Sequence, residues 1–222
     1  MKSLIFTAKS SFARFRCPHT TTSALTFSTI HPVAVRGLIG AVVGIDYKDL
    51  YEYSNDIKIG IQVLNKVYKD TQSFNLIPQV TTNKKSPTFI SRIQFLRDVK
   101  YRIFLSTGEE KLNQIENILK SKEYVFTPYL GCSEHIAKLE YEKTVDIENI
   151  EENYTHTLVP KDYIEFDFDN EFEFYVDRIP TKNNKEREYI EYENIVFSPN
   201  NIINIKNKTL FKKVGEYNVF FF

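Results

Sequence analysis

The sequence predicts an α+β fold, and three observations support this class. Apolar residues alternate with polar ones in several short stretches, the first at residues 4–9, which is the pattern of β-strands. Two other stretches, at residues 32–45 and 107–121, repeat related residues at helical spacing. The hydrophobic content is 42% over 222 residues, which is enough for a genuine core in one large domain or two small ones.

The first strand leads through a basic, hydroxyl-rich loop at residues 10–30 into a helix that contains glycines. Pro32 suits the first turn of that helix, which we expect to continue to Ile45. Glycine in a helix interior costs about 0.5–1 kcal/mol relative to alanine, so a glycine stripe indicates that another backbone or a ligand comes close. Packing of the helix on a sheet is the alternative, favoured for the deeper positions. The stripe consists of Ala34, Gly37, Ala41 and Gly44, with Gly40 beside it.

The middle of the chain predicts strands on either side of a long connection. Residues 57–67 alternate as a strand, whereas residues 68–88 are polar and lack a sustained period. A connection of about twenty residues is long for a compact domain, and such loops are often functional. Residues 89–105 then predict a β-hairpin with Arg97 and Asp98 in its turn.

A second helix and a further strand complete a recognisable order. Thr107 and Glu110 predict a capping box for a helix that ends near Ser121, and a strand follows at residues 136–143. The order strand, helix, strand, strand, helix, strand is that of ferredoxin-like βαββαβ modules, including the RRM and many other RNA-binding modules. We therefore expect a ferredoxin-like domain at residues 1–145.

The remainder, residues 146–222, is expected to be β-rich. Its sharpest pattern is a hairpin at residues 164–176, whose acidic residues alternate with aromatic ones and point to a solvated sheet face. A charged loop at residues 181–188 precedes further strands at residues 190–197 and 202–211.

Charge is distributed unevenly although the net charge is zero. Residues 1–45 contain five cations and no acid, whereas residues 139–177 contain thirteen acids and two lysines. This asymmetry predicts a polyanion-facing end and an opposite end that avoids polyanions or meets a basic partner. The five cations are Lys2, Lys9, Arg14, Arg16 and Arg36.

The two cysteines indicate the compartment. Cys17 and Cys132 lie far apart in the sequence without a framework pattern, which fits a reducing cytosol. The apolar part of the first residues is too short for a signal peptide, and residues 32–45 are too short for a membrane span. We expect a cytoplasmic protein without a membrane partner.

Three stretches resemble a known family. FRCPHTTTSALTF at residues 15–27, HPVAVRGLIGAVVGI at residues 31–45 and, more loosely, PYLGCSEHIAKLEY at residues 128–141 are similar to the CRISPR-associated Cas-five family, the RAMP-type subunit of type I Cascade complexes. QFLRDVKYRIFL at residues 94–105 is also similar. The order of these four stretches is more specific than any one of them.

The resemblance implies a ferredoxin-like RAMP domain that caps the 5′ handle of CRISPR RNA (crRNA) in antiviral defence. Expected partners are crRNA, the Cascade backbone and large subunits and, through the complex, target DNA. No cofactor or metal is expected. In this family residues 68–88 correspond to a thumb that projects against the RNA and the neighbouring subunit; its candidate contact residues are Lys69, Gln72, Phe74, Lys84 and Lys85.

The basic loop and the start of the helix supply the RNA-binding candidates, because cationic and hydroxyl side chains near a helix N-terminus suit phosphates. The alternative is a solvated basic loop whose threonines only stabilise turns. The candidates are Lys9, Arg14, Arg16, His19, Thr20, Thr21, Thr22, Ser23, Arg36 and Gly37.

Other functions remain open from the sequence. One branch of the resembled family cleaves repeat RNA without metal, for which His19, His31, Tyr47 and Lys9 are candidates. A free-standing module that binds single-stranded RNA outside CRISPR systems is a third alternative. A zinc site is a weaker alternative still, since the spacing is too tight for usual fingers; its ligands would be Cys17, His19, Cys132 and His135.

Overall fold

A computed structural model describes residues 1–20, 23–77, 88–164 and 173–222, with the backbone alone at 205–210. The fold is mixed α+β and rich in strands, which confirms the predicted class. In chain order the elements are β1 (Lys2–Ala13), β2 (Ser23–Ala24), α1 (Pro32–Val43), α2 (Leu50–Ser54), β3 (Lys58–Val63), β4 (Tyr68–Leu76), β5 (Phe89–Ser106), α3 (Glu109–Ser121), β6 (Lys138–Thr155), β7 (Val159–Pro160), a 3₁₀ turn (Lys161–Tyr163), β8 (Tyr175–Asn183), β9 (Tyr189–Phe197), β10 (Ile203–Val214) and β11 (Tyr217–Val219).

The main sheet has the order β11-β10-β6-β1-β5-β2, and both β3 and β4 also pair with β5. Strand β1 lies antiparallel between β5 and β6 at its centre. Helices α1 and α3 contact each other and pack on one face of this sheet. The core between them includes Leu4, Phe6 and Ile103 from the sheet and Val35 and Ile115 from the helices, all fully buried.

The opposite face of the sheet encloses a smaller core. Ile5 and Phe104 are fully buried there against Val219. Beyond β11, the backbone of Phe222 exchanges two hydrogen bonds with Ile59 of β3, at 3.1 and 3.0 Å. These two bonds join the opposite edges of the series β3, β5, β1, β6, β10 and β11, because β3 is at one edge and the chain after β11 is at the other.

Two predictions about the middle of the chain are wrong. Residues 89–105 form one strand and not a hairpin, because β5 is paired with β1 along most of its length and with β4 and β3 in succession. Asp98 takes a left-handed backbone, with φ of 53°, between the parts paired to β4 and β3. Tyr68–Leu76 is the strand β4 and not an irregular loop.

Three boundaries also differ from the prediction. The helix α3 begins after Gly108 without a side-chain cap, since the hydroxyl of Thr107 donates to Asp56 Oδ2 (2.6 Å) and not to the helix. Strand β1 continues to Ala13, into the predicted loop. Strand β6 continues through residue 145 to Thr155 and pairs with β10. Residues after 145 therefore extend the same sheet.

A second sheet, of order β7-β9-β8, lies beside α1. It confirms strands in the last third of the chain, whereas most of the predicted acidic hairpin falls at 165–172, outside the described residues. Within the described ranges, the helices are too short or too polar to cross a membrane.

Candidate functional site

A cleft with a volume of about 730 Å³ lies over α1. Its floor includes four residues of the small-residue stripe of that helix, Ala34, Gly37, Gly40 and Ala41. One wall is formed by Arg14, Arg16 and residues 126–132, and the other by residues 45–54 and the turn between β8 and β9. Three of the stretches that resemble a known family therefore meet in one place, next to a part of the chain that none of them includes.

The start of α1 is fixed by a buried histidine. The imidazole Nδ1 of His31 accepts a hydrogen bond from the backbone N–H of Ala34 (3.2 Å), which caps the helix, and Pro32 follows in the first turn. The rings of Phe15, Phe27 and Tyr189 surround His31 edge-on, at centroid distances of 5.4–6.0 Å. Complete burial lowers the pKa of His31 to about 3, so the ring is neutral at physiological pH and has a structural role.

His31 makes the stability of the fold dependent on pH. Since its pKa is lower in the folded chain than the ordinary 6.5, the unfolded chain binds the extra proton, and stability falls as the pH drops from 6.5 towards 3. We expect a loss of about 1.4 kcal/mol in the free energy of unfolding per pH unit over this range. Urea unfolding at pH 6.5 and pH 5 should show a smaller loss for His31→Asn, which keeps a capping side chain. Equal losses in both proteins would contradict the assignment.

The glycine stripe of α1 is partly open and partly packed. A Cβ added at Gly37 would meet no atom within 4 Å, and this residue is exposed in the cleft. At Gly40 an added Cβ would lie 2.6 Å from Leu50 Cδ1, and at Gly44 it would lie 2.6 Å from Val125 Cγ1. Close packing thus accounts for Gly40 and Gly44, while Gly37 leaves room for a ligand above the helix backbone.

Gly131 allows the loop before β6 to touch the backbone that follows β1. The backbone N–H of Arg14 donates to Leu130 O (3.1 Å), and an added Cβ at Gly131 would lie 1.8 Å from Arg14 O. Gly131 also has φ of +87°, which favours glycine. This contact sets the position of the Arg14 backbone at the wall of the cleft.

Three arginines from the sequence prediction line the cleft together. The Nε of Arg14 and the Nε of Arg36 are buried without a hydrogen-bond partner in the described structure. Arg36 Nη1 donates to Thr181 O of β8 (2.9 Å), and burial lowers the pKa of Arg36. Arg16 is exposed and its backbone forms a β-bridge with Thr26. Guanidinium groups that line a cleft suit phosphate oxygens, because they donate several hydrogen bonds in a planar arrangement.

The turn between β8 and β9 adds two cations that the sequence analysis missed. Lys185 and Arg187 line the cleft from residues 184–188, a segment classified only as a charged loop. In the sequence, the only sign of such a site is that these cations lie beside Asn183 and Asn184, a pair that favours a turn. The position of this turn at the cleft depends on contacts between residues that are distant in sequence, which local sequence does not encode.

Aromatic rings accompany the cations along the cleft. Tyr47, Phe126 and Tyr129 are 58%, 50% and 46% exposed, and Tyr51 and Tyr189 complete the set. The described lining residues include five cations and one acid, Asp46. Positive charge next to accessible rings is the composition of surfaces that bind single-stranded nucleic acids.

Several candidates have other contacts in the structure. Lys9 forms an ion pair with Glu140 (3.1 Å), and the ring of His19 packs on Tyr192. The hydroxyl of Thr20 donates to Cys17 O (2.9 Å) and accepts from the N–H of Leu25, which stabilises a turn. Ser23 begins β2, which pairs with β5. Thr21 and Thr22 lie outside the described residues.

The described thumb candidates, Lys69, Gln72 and Phe74, lie on β4, which forms an arm with β5. Lys69 is paired with Leu96, and Gln72 donates a hydrogen bond to Asp70 (2.9 Å). Phe74 packs edge-on against Phe95 with 37% of its surface exposed. Lys84 and Lys85 fall within 78–87, outside the described ranges.

The residues of the zinc and nuclease alternatives are not gathered into one site. Among the described residues, no group of three His, Cys, Asp or Glu side chains has the arrangement to hold a metal, and His135 packs against Phe12 and Phe95. Of the four nuclease candidates, Tyr47 and His31 line the cleft, but His31 is neutral and used as a cap. Lys9 and His19 have the contacts given above.

The chain was compared with protein families, curated sequences and solved structures. The family model described as CRISPR-associated protein (Cas_Cas5) matches residues 3–207. No curated protein sequence matches significantly. Among solved structures, a CRISPR RNA-guided surveillance complex contains a chain with a TM-score of 0.59 and 13% identity, covering 97% of this chain and 95% of that one.

Two further structures have similar folds. A CRISPR protein from Archaeoglobus fulgidus has a TM-score of 0.58 at 13% identity, over 99% of this chain and 98% of that one. A chain of Type III-B Cmr-beta bound to cognate target RNA and AMPPnP has a TM-score of 0.50 at 15% identity, over 92% and 86%. These likenesses show the fold, and the family match over residues 3–207 confirms the resemblance in the sequence. The chain therefore belongs to the CRISPR-associated protein family Cas_Cas5.

Proposed function

We propose that this protein is a crRNA-binding subunit of a type I CRISPR Cascade effector complex, and that it caps the 5′ handle of the crRNA in the cleft over α1. The observation that carries the proposal is the convergence of Arg14, Arg16 and Arg36 on a cleft with exposed rings and a single acid among its described lining residues. Cations bind the phosphates of a single strand, and rings stack on its bases. The family match and the surveillance-complex fold support this role.

We further propose a ferredoxin-like RAMP domain at residues 1–145 and a β-rich region at 146–222 that extends its sheet. The order β6-β1-β5-β3 with α1 and α3 on one face supports this description. In it the arm of β4 and β5 is the base of a thumb at about residues 68–88. Backbone and large subunits of Cascade are the proposed protein partners, target DNA is reached through the complex, and the protein acts in the cytoplasm without cutting RNA.

Fluorescence anisotropy with a labelled, repeat-derived handle RNA tests the proposal. We expect the handle to bind at least about tenfold more tightly than a scrambled RNA of equal length, a difference of about 1.4 kcal/mol. Equal affinity for the two RNAs would contradict handle recognition. Site-specific cleavage of repeat RNA without magnesium would instead favour the endoribonuclease.

Gly37→Val tests whether the strand passes directly over α1. The added side chain projects into open space in the cleft, so we expect normal folding but at least about tenfold weaker RNA binding. Gly40→Val is the matched comparison, because its side chain meets Leu50 and should lower stability. If Gly37→Val binds RNA as the unchanged protein does, the strand does not lie on this part of the helix.

A further inference from the structure

The turn between β8 and β9 lies at the edge of the cleft and is held together by hydrogen bonds within it. Within it, the N–H of Asn184 donates to Glu188 O (3.0 Å) and the N–H of Arg187 donates to Asn184 O (3.1 Å). The side chain of Asn184 also accepts from the N–H of Glu188 (2.8 Å) and donates to its carboxylate (2.9 Å). These bonds hold Arg187 in a left-handed backbone with φ of 68°.

Both strands that carry this turn contact α1, the floor of the cleft, or the residue that caps it. On β8, Thr181 O accepts the hydrogen bond from Arg36 of α1 (2.9 Å). On β9, the ring of Tyr189 packs edge-on against His31, 5.4 Å between centroids. The turn therefore has a fixed position relative to the helix that forms the floor.

Among the described residues, the two cations of the turn have partners at the surface. Lys185 forms an ion pair with Glu52, in which the side chains are 67% and 60% exposed, and its Nζ lies 6.0 Å from the ring of Tyr51. The guanidinium of Arg187 lies 5.9 Å from the ring of Tyr47. Exposed pairs of this kind are weak, so a phosphate in the cleft can replace them.

We propose that residues 184–188 form a clamp that closes one side of the cleft over the bound RNA strand and contacts its phosphates through Lys185 and Arg187. This inference rests on the proposed RNA-binding function and extends the site to the region after residue 145. RNA binding then depends on both parts of the chain. Tyr47 and Tyr51, released from the two cations, become available to stack on bases.

The test is the affinity and salt dependence of handle-RNA binding by the full chain carrying Lys185→Gln and Arg187→Gln. Two lost phosphate contacts should weaken binding about tenfold or more and reduce the slope of log affinity against log salt by about 1.4. Lys182→Gln is the matched control, because Lys182 is a nearby exposed cation paired with Glu191 on β9. It should leave the affinity within about twofold of the unchanged protein.

Glu52→Gln is a second test, and its expected effect on RNA affinity has the opposite sign. A purely structural role of the turn does not predict this effect. Removing the acid that competes for Lys185 should strengthen RNA binding about twofold to threefold. If the unchanged protein binds the handle and the double variant binds with the same affinity and slope, the clamp is wrong while the proposed function stands. If the unchanged protein does not bind the handle, the proposed function fails and the clamp fails with it.

Discussion

Replacing Arg14 and Arg16 with alanine is expected to weaken binding of the handle RNA about 100-fold at about 0.15 M salt. Both residues line the cleft, and Arg16 is exposed there. A charge-assisted hydrogen bond contributes about 1.5–3 kcal/mol, so the loss of two such contacts removes about 3 kcal/mol or more. Anisotropy titrations at several salt concentrations measure both the affinity and its slope.

The control for this variant is a second double substitution, Lys182→Ala with Lys213→Ala. It removes the same net charge from exposed positions that are not part of the cleft lining. We expect a salt slope lower by about 1.4 for the arginine variant alone, since single-stranded RNA releases about 0.7 counterions per contact. Equal losses in both variants would mean that only net charge attracts the RNA, and the cleft would lose its role.

Gly131→Ala is expected to produce the largest loss of stability among single substitutions at the cleft. An alanine at φ of +87° costs about 1–2 kcal/mol, and its Cβ would lie 1.8 Å from the carbonyl oxygen of Arg14, which adds about 1–3 kcal/mol. The free energy of unfolding should fall by about 3 kcal/mol, and the melting temperature by about 6–12 °C.

Gly108→Ala is the comparison for that substitution. Gly108 precedes α3, and an added Cβ there meets no atom within 4 Å. Its effect should be at most about 1 kcal/mol, and differential scanning calorimetry of the two variants separates local strain from a general effect of losing glycine. Gly131→Ala melting like the unchanged protein would show that the contact between the two loops is not tight.

Helix α1 and the cations that precede it could be predicted, because the features that identify them are adjacent in the sequence. Pro32 at the first turn and small residues at helical spacing identify α1, and the cations before it are adjacent in sequence. The strand pattern of β1 and the amphipathic pattern of α3 are visible for the same reason, since each has one face in the core.

Other parts could not be predicted, for physical reasons. Strand β4 is exposed on both faces, so its sequence has no apolar alternation to detect. Asp98 has a left-handed backbone, as a turn residue often has. The chain nevertheless does not turn there, because β5 is paired with neighbouring strands on both edges. Lys185 and Arg187 reach the cleft only through the docking of β8 against α1, which depends on contacts distant in sequence.

The most direct test of the central claim is to crosslink RNA to the protein purified from cells that express its CRISPR system, and to sequence that RNA and identify the crosslinked residues. We expect repeat-derived 5′ handle sequence, attached to residues that line the cleft over α1, such as Tyr47, Phe126 or Tyr129. RNA of unrelated sequence, or handle RNA crosslinked only at residues away from this cleft, would contradict the account.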